Sequence, residues 1–148
     1  MTPFLLAAPK TIDDISFAVE YAKAHGKKIV ARSGGHQYSG KSSGGDDTIV
    51  ISMENFNKVE CFGDNIVKVE PCCKLKNVAK EFAQKGITVP HGECPEVNIG
   101  GHAQTGGYGH LLRGFGLFLD YVVGFDIVLA DGSFKHVTKP KSIPTTEK

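Results

Sequence analysis

The 148-residue chain is short of the features that mark several large functional classes. It has no excess of charge of one sign. Lys and Arg number 17 against 16 Asp and Glu, for a formal net charge of +1, and the cations are scattered along the chain. That pattern argues against a nucleic-acid surface, where a basic face is interleaved with aromatics. No apolar run approaches the roughly 20 residues of a membrane span. The opening MTPFLLAAPK has only a short apolar run with no basic region before it, so it does not read as a signal peptide. The four cysteines, Cys61, Cys72, Cys73 and Cys94, contain no CxxC pair and are too sparse for a disulfide scaffold. Adjacent Cys72 and Cys73 read as buried thiols or a partly exposed pair, and the compartment stays open.

Phosphate and metal signatures are missing as well. No GxGxxG opens a long helix in a βαβ unit, so a Rossmann reading fails, and there is no GxxxxGK[ST] loop. His91-Gly92-Glu93 superficially matches the HxE of zinc deaminases, but no PCxxC follows it, and no metal is expected.

What remains is a chain of ordinary composition, 41% hydrophobic and 22% charged. It is long enough for one domain that buries roughly 70% of its unfolded surface. Thr11 with Asp14 forms a capping-box start. Ile12, Ile15, Val19 and Ala22 then recur at helical spacing up to Gly26. KKIVARS and DTIVISM read as strands, NIVKVEPCC alternates like a half-buried strand, and GITVPHG resembles another short one. KLKNVAKEFAQKG is a second amphipathic helix, with Leu75, Val78, Ala79 and Phe82 on one face. YVVGFDIVLADGSFKHVT reads as a hairpin turning at Ala130-Asp131-Gly132. The order of elements is α+β, without repeats, and the last ten residues, 139–148, read as a polar tail.

Glycine is the outlier, with 18 residues massed at 34–45 and 92–116. Two segments follow predicted strands, RSGGHQYSG and HGECPEVNIGGHAQTGGYGH. Exposed amides in such loops make concave anion sites, for which a dinucleotide pyrophosphate is a natural occupant. Tyr38, Val97, Ile99 and Tyr108 within them are expected to pack, giving ordered loops instead of flexible ones.

These two motifs, in this order, resemble those of the berberine-bridge-enzyme-like oxidases, in the vanillyl-alcohol-oxidase or p-cresol-methylhydroxylase (PCMH) type of flavoprotein. The resemblance runs from about residue 10 to residue 137. It implies a PCMH-type FAD-binding domain over residues 1–138, made of two small α+β lobes, about 1–52 and 53–138, with the glycine loops facing each other across a cleft. It implies FAD held by Arg32, Ser33, Gly34, Gly35, His36, Gln37 and Tyr38 of the first loop. From the second loop it implies Cys94, Val97, Gly100, Gly101, His102, Thr105, Gly106, Gly107 and Gly109. In the family the histidine matching His36 is bonded to the flavin 8α-methyl and the cysteine matching Cys94 to C6; Cys94 as an unmodified thiol stays open. The residue matching Val97 gates dioxygen, and valine there goes with oxidases. His102 is expected to shape its loop by hydrogen bonding, and His91 and His110 to be structural. Arg113 reads as a surface charge or a loop-ordering ion pair.

The implied activity is an FAD-dependent oxidase that takes hydride from an alcohol, sugar or similar small donor and passes electrons to O2. No protein, nucleic-acid or membrane partner is evident. Members of this family are longer, and many are secreted. The chain is therefore expected to be incomplete at both ends, lacking the opening strand of the first lobe and the substrate domain that supplies the catalytic base. A non-catalytic flavin-binding remnant or interaction module is the alternative.

Overall fold

The computed structural model describes residues 2–63 and 66–139. The predicted polar tail lies outside the described residues from residue 140 onward.

Helix α1, Ile12–Ala24, starts as its sequence dictates. Thr11 accepts from the Asp14 amide, and Asp14 returns the contact to the Thr11 and Lys10 amides at 2.9 Å each. These amide contacts hold the Asp14 carboxyl below the ordinary carboxylate range. The helix stops at His25, and Gly26 follows with φ of 61°. Its buried residues, Ala18 and Ala22, lie on one face.

Three parallel strands accompany it: β1, Leu5–Ala7, β2, Lys28–Arg32, and β3, Thr48–Ser52, in the order β1-β3-β2. All five residues of β3 are buried, Val50 completely. Ile49, Val50 and Ile51 each contribute about 1.5–3 kcal/mol of burial to this sheet. The expected loss of the opening strand is thus corrected. Leu5, Leu6 and Ala7 pair with Ile49, Val50 and Ile51. Three residues carry no alternation of their own, and β3 is what makes them a strand.

A second core forms around helix α2, Leu75–Gln84, whose Leu75, Val78 and Phe82 are buried with Cys73, Ile99 and Phe118. Strands β4, Val59–Phe62, and β5, Ile66–Val69, pair antiparallel and cover it through Val59, Val67 and Val69. The strand expected in GITVPHG is not one. Ile87 and Val89 pack against the core, but no ladder partner meets them among the described residues. Two short helices, α3, Ile99–Gln104, and α4, Leu112–Phe115, occupy the glycine-rich segment.

The expected hairpin is present, β6, Gly124–Val128, against β7, Phe134–Thr138. Its turn is closed by Gly132 N–H to Leu129 O at 2.9 Å and by Ser133 on the Asp131 carboxylate. Asp126 joins this hairpin to β5 through Lys68 at 2.8 Å, with His136 Nδ1 at 2.7 Å on its other oxygen. Both contacts lower the Asp126 pKa, Lys68 most.

Candidate flavin site

The first glycine loop leaves β2 at Arg32. Ser33 is half-buried, and its hydroxyl donates to the Pro71 carbonyl at 2.6 Å. The same carbonyl accepts the amide of Gly100, in α3, at 2.9 Å. One oxygen therefore joins the two glycine loops, which meet directly. Pro71 lies two residues beyond β5, outside its ladder, which leaves this carbonyl free for the role, and no local signal in the sequence points to it. Gly34 completes the junction, since a Cβ there would sit 2.7 Å from His36 Cδ2 and 3.0 Å from Asn98 Cγ. Only a residue without a side chain lets the loops approach so closely.

The motif Cys94-Pro95-Glu96-Val97 is a β-turn. The Val97 amide donates to Cys94 O at 3.2 Å, and proline occupies the second turn position, where its fixed φ suits the bend. His36 Nε2 lies 3.1 Å from the Glu96 carbonyl. A carbonyl only accepts, so Nε2 carries the ring proton, and the lone pair of the neutral imidazole is on Nδ1. Cys94 lies in the same turn with its thiol exposed. His36 thus contacts the turn in which Cys94 lies. The Glu96 carboxylate is held by Lys74 Nζ at 2.5 Å and by Lys76, which pull its pKa down to about 2.

The far side of the second loop is organised by His102. Its Nε2 accepts the Gly92 amide at 3.1 Å, which places the ring proton on Nδ1, and its ring meets Phe118 edge-on at 5.8 Å. Burial, then the nearby His91, lowers the His102 pKa, so the ring is kept as a neutral acceptor. This is the loop-shaping role expected of it. Buried Gly107 has φ of 70°, and a Cβ there would fall 2.6 Å from His102 Nε2.

Gly106 is buried beside it, whereas Thr105 is exposed and donates to the Gly101 and His102 carbonyls. Gly109 lies tight against His91 O. His91 contacts its neighbour's carbonyl, Gly92 O, at 2.8 Å, His110 pairs with Glu93 at 3.3 Å, and Arg113 is a surface charge on α4. Val97 is half-buried against the α2 core, and Ile99 is buried within it. Two expectations of packing are overturned: Tyr38 is fully exposed at 108% and Tyr108 is 71% exposed. The loops are tied instead through the Ser33, His36 and His102 side chains and close approaches at glycines, and both tyrosine side chains are exposed. Arg32 and Gln37 are also exposed, with the Arg32 guanidinium lying under Gly35.

Among the described residues no group of His, Cys, Asp and Glu is arranged to hold a metal ion. No described backbone hydrogen bond uses the amides of Gly34, Gly35, His36, Gln37 or Tyr38 as donors. Together the two loops thus offer these amides, the His36 Nδ1 lone pair and the exposed Cys94 thiol. Residues 3–138 match the family described as FAD binding domain. The chain belongs to that family.

Its relatives agree. It is 38% identical to the chitooligosaccharide oxidase of Gibberella zeae over 95% of this chain, and 33% identical to the glucooligosaccharide oxidase of Sarocladium strictum. It spans only 29% and 28% of those two proteins. Among solved structures, it superposes with a TM-score of 0.86, at 31% identity, on the Acremonium strictum glucooligosaccharide oxidase, a protein with 6-S-cysteinyl, 8α-N1-histidyl FAD. That match covers 93% of this chain and 29% of the other. A berberine-bridge-enzyme-like protein of Physcomitrella patens matches with a TM-score of 0.83 at 33% identity, over 90% of this chain and 29% of the other. FAD fits the donors present here: free amides suit a pyrophosphate, and an unprotonated Nδ1 and an exposed thiol suit attachment to the ring.

Proposed function

We propose that residues 1–138, as lobes of about 1–52 and 53–138, are the FAD-holding part of an oxidase that removes hydride from a carbohydrate and passes the electrons to O2. The observation that carries this reading is the contact of His36 with the turn that bears Cys94. That contact supports the reading because it joins the loop that carries His36 to the turn that carries Cys94. The named relatives that oxidise oligosaccharides favour a sugar over other donors.

When bound, FAD supplies the hydride acceptor, and the protein orients and tunes it. In this reading the free amides of residues 34–38 take the pyrophosphate, His36 Nδ1 takes the 8α carbon and Cys94 Sγ takes C6. Each link replaces a C–H bond by a C–N or C–S bond. Each link would release two protons and two electrons, which one O2 would take up as hydrogen peroxide, so two links would consume two O2. Holding the ring at two points raises its affinity for electrons and so favours hydride removal from a poor donor. Arg32, Ser33, Gly34 and Gly35 shape the first loop, and Gly100, Gly101, His102, Thr105, Gly106, Gly107 and Gly109 shape the second. In this reading Val97, half-buried against the α2 core, is the oxygen gate, and its small side chain would admit O2.

The test is to incubate the chain with FAD in air, denature it and follow the flavin by fluorescence and mass. Flavin is expected to stay with the polypeptide, and His36→Ala with Cys94→Ala should release it. A wild-type chain whose flavin washes out in acid would overturn the assignment.

A further inference from the structure

Helix α2 begins in a way that its own sequence opposes. Lys74 is its N-cap and makes no side-chain capping bond. Lys76 follows in the first turn, and no acidic residue is present there. Cations at a helix N-terminus work against the helix dipole. The counter-charge comes from the second glycine loop instead. Glu96 takes both ammonium groups, Lys74 Nζ at 2.5 Å and Lys76 Nζ, on separate carboxylate oxygens. Free helical amides are satisfied from the same turn: Leu75 N–H donates to Val97 O at 2.8 Å and Lys76 N–H to Pro95 O at 3.1 Å. The turn Cys94–Val97 is therefore held to α2 by two backbone bonds and two ion pairs. Of the carbonyls it presents, that of Glu96 is directed at His36 Nε2.

A local acid on α2 would answer the helix dipole equally well. Only an acid at position 96 also fixes the peptide whose oxygen holds the imidazole. We infer that the Lys74–Glu96–Lys76 clamp is a positioning device for His36, keeping the Nε2–H on the Glu96 carbonyl so that the Nδ1 lone pair faces the flavin. The inference rests on the proposed role of His36, and Lys74, Glu96 and Lys76 act through the Glu96 carbonyl that contacts its ring. Gly34 supports the same pose by admitting the His36 ring edge.

The experiment labels the full chain with [15N]histidine and follows the His36 ring N–H, assigned by its loss in His36→Gln. In the wild type this proton is held by a carbonyl and should be observable at neutral pH. Lys74→Gln with Lys76→Gln, and separately Glu96→Gln, should weaken it several-fold through exchange with water. The charge-reversed triple variant, Glu96→Lys with Lys74→Glu and Lys76→Glu, should restore it. Circular dichroism shows whether each variant stays folded, and restoration by the triple variant separates positioning from general damage. An unprotected proton in the wild type, or equal protection in folded variants, overturns the clamp. Covalent FAD uptake is measured on the same samples and should fall several-fold in the single-sign variants. If uptake is nil in the wild type while the N–H pattern holds, the flavin reading fails and the positioning stands.

Discussion

Replacing Gly101 by alanine separates what the fold needs from what a flavin needs. Gly101 lies inside α3, and a Cβ built there meets nothing within 4 Å. Within a helix, glycine is less favourable than alanine by about 0.5–1 kcal/mol, because it gives up more backbone freedom on folding. With no neighbour to displace, Gly101→Ala should therefore stabilise the chain by about that amount. For a denaturation slope near 2 kcal/mol/M this moves the urea midpoint up by about 0.4 M. The added methyl nevertheless enters the open space where the loops are proposed to meet FAD. Covalent uptake should fall by at least about tenfold, equivalent to about 1.4 kcal/mol. Gly107→Ala is the opposing control. Its positive φ costs about 1–2 kcal/mol and its overlap with His102 and Phe118 about 1–3 kcal/mol more. Urea titration and in-gel flavin fluorescence of the two variants decide the matter. A Gly101→Ala chain that is more stable and still takes up flavin normally would show that the open face is not the flavin face. One destabilised by more than about 1 kcal/mol would refute the helix argument itself.

Stability should be held above about pH 6.5 and fall as the pH drops below it, because the lowered pKa of His102 means that the folded chain resists a proton the unfolded chain accepts. His102→Gln, whose amide oxygen can still accept from Gly92, should flatten that slope in pH-dependent urea titrations. Burial pushes the Cys73 thiol up to about 11, so at pH 8 a thiol reagent should label exposed Cys61 and Cys94 first and Cys73 only on unfolding; early labelling of Cys73 would contradict its place in the core. Ser33→Ala should cost about 1 kcal/mol and no more, since the Pro71 carbonyl keeps its bond from Gly100.

The parts of this fold that could be read from the sequence are those specified locally. The Thr11–Asp14 box, the β-branched run of β2, the helical spacing of Leu75, Val78 and Phe82 and the Asp131-Gly132 turn each act within a few residues. The parts that were not readable depend on distant partners. β1 exists because Ile49, Val50 and Ile51 pair with it. β4 was not marked because it buries only its Val59 side, while Glu60, Cys61 and Phe62 stay exposed. Ile87–Pro90 has strand composition but meets no ladder among the described residues. The α3 sequence IGGHAQ is poor helix material, and it is helical because Ile99 is buried and its first amides reach Cys73 O and Pro71 O. At the site, the motifs identified His36 and Cys94 through the resemblance, but nothing local foretold the Glu96 carbonyl, the lysine pair or Pro71. Those contacts cross from one loop to another. Tyr38 and Tyr108 failed for the opposite reason, because aromatic character alone does not decide which way a loop side chain turns.

The order of the strands has a consequence for how the chain assembles. β1 and β2 are made first, yet they do not pair with each other, and each waits for β3 to enter between them. During synthesis the first lobe therefore has no sheet until Thr48–Ser52 has emerged, and its formation depends on pairings distant along the chain, which form slowly. The glycine loop leaves β2 at Arg32 and returns at Thr48, which pairs with Lys28, so in that same event it becomes the crossover of a parallel pair and both of its ends are fixed. Entry of β3 thus acts as the latch of the first loop, and a mutation that delays it would leave a nascent chain unable to grip its cofactor even with every loop residue intact.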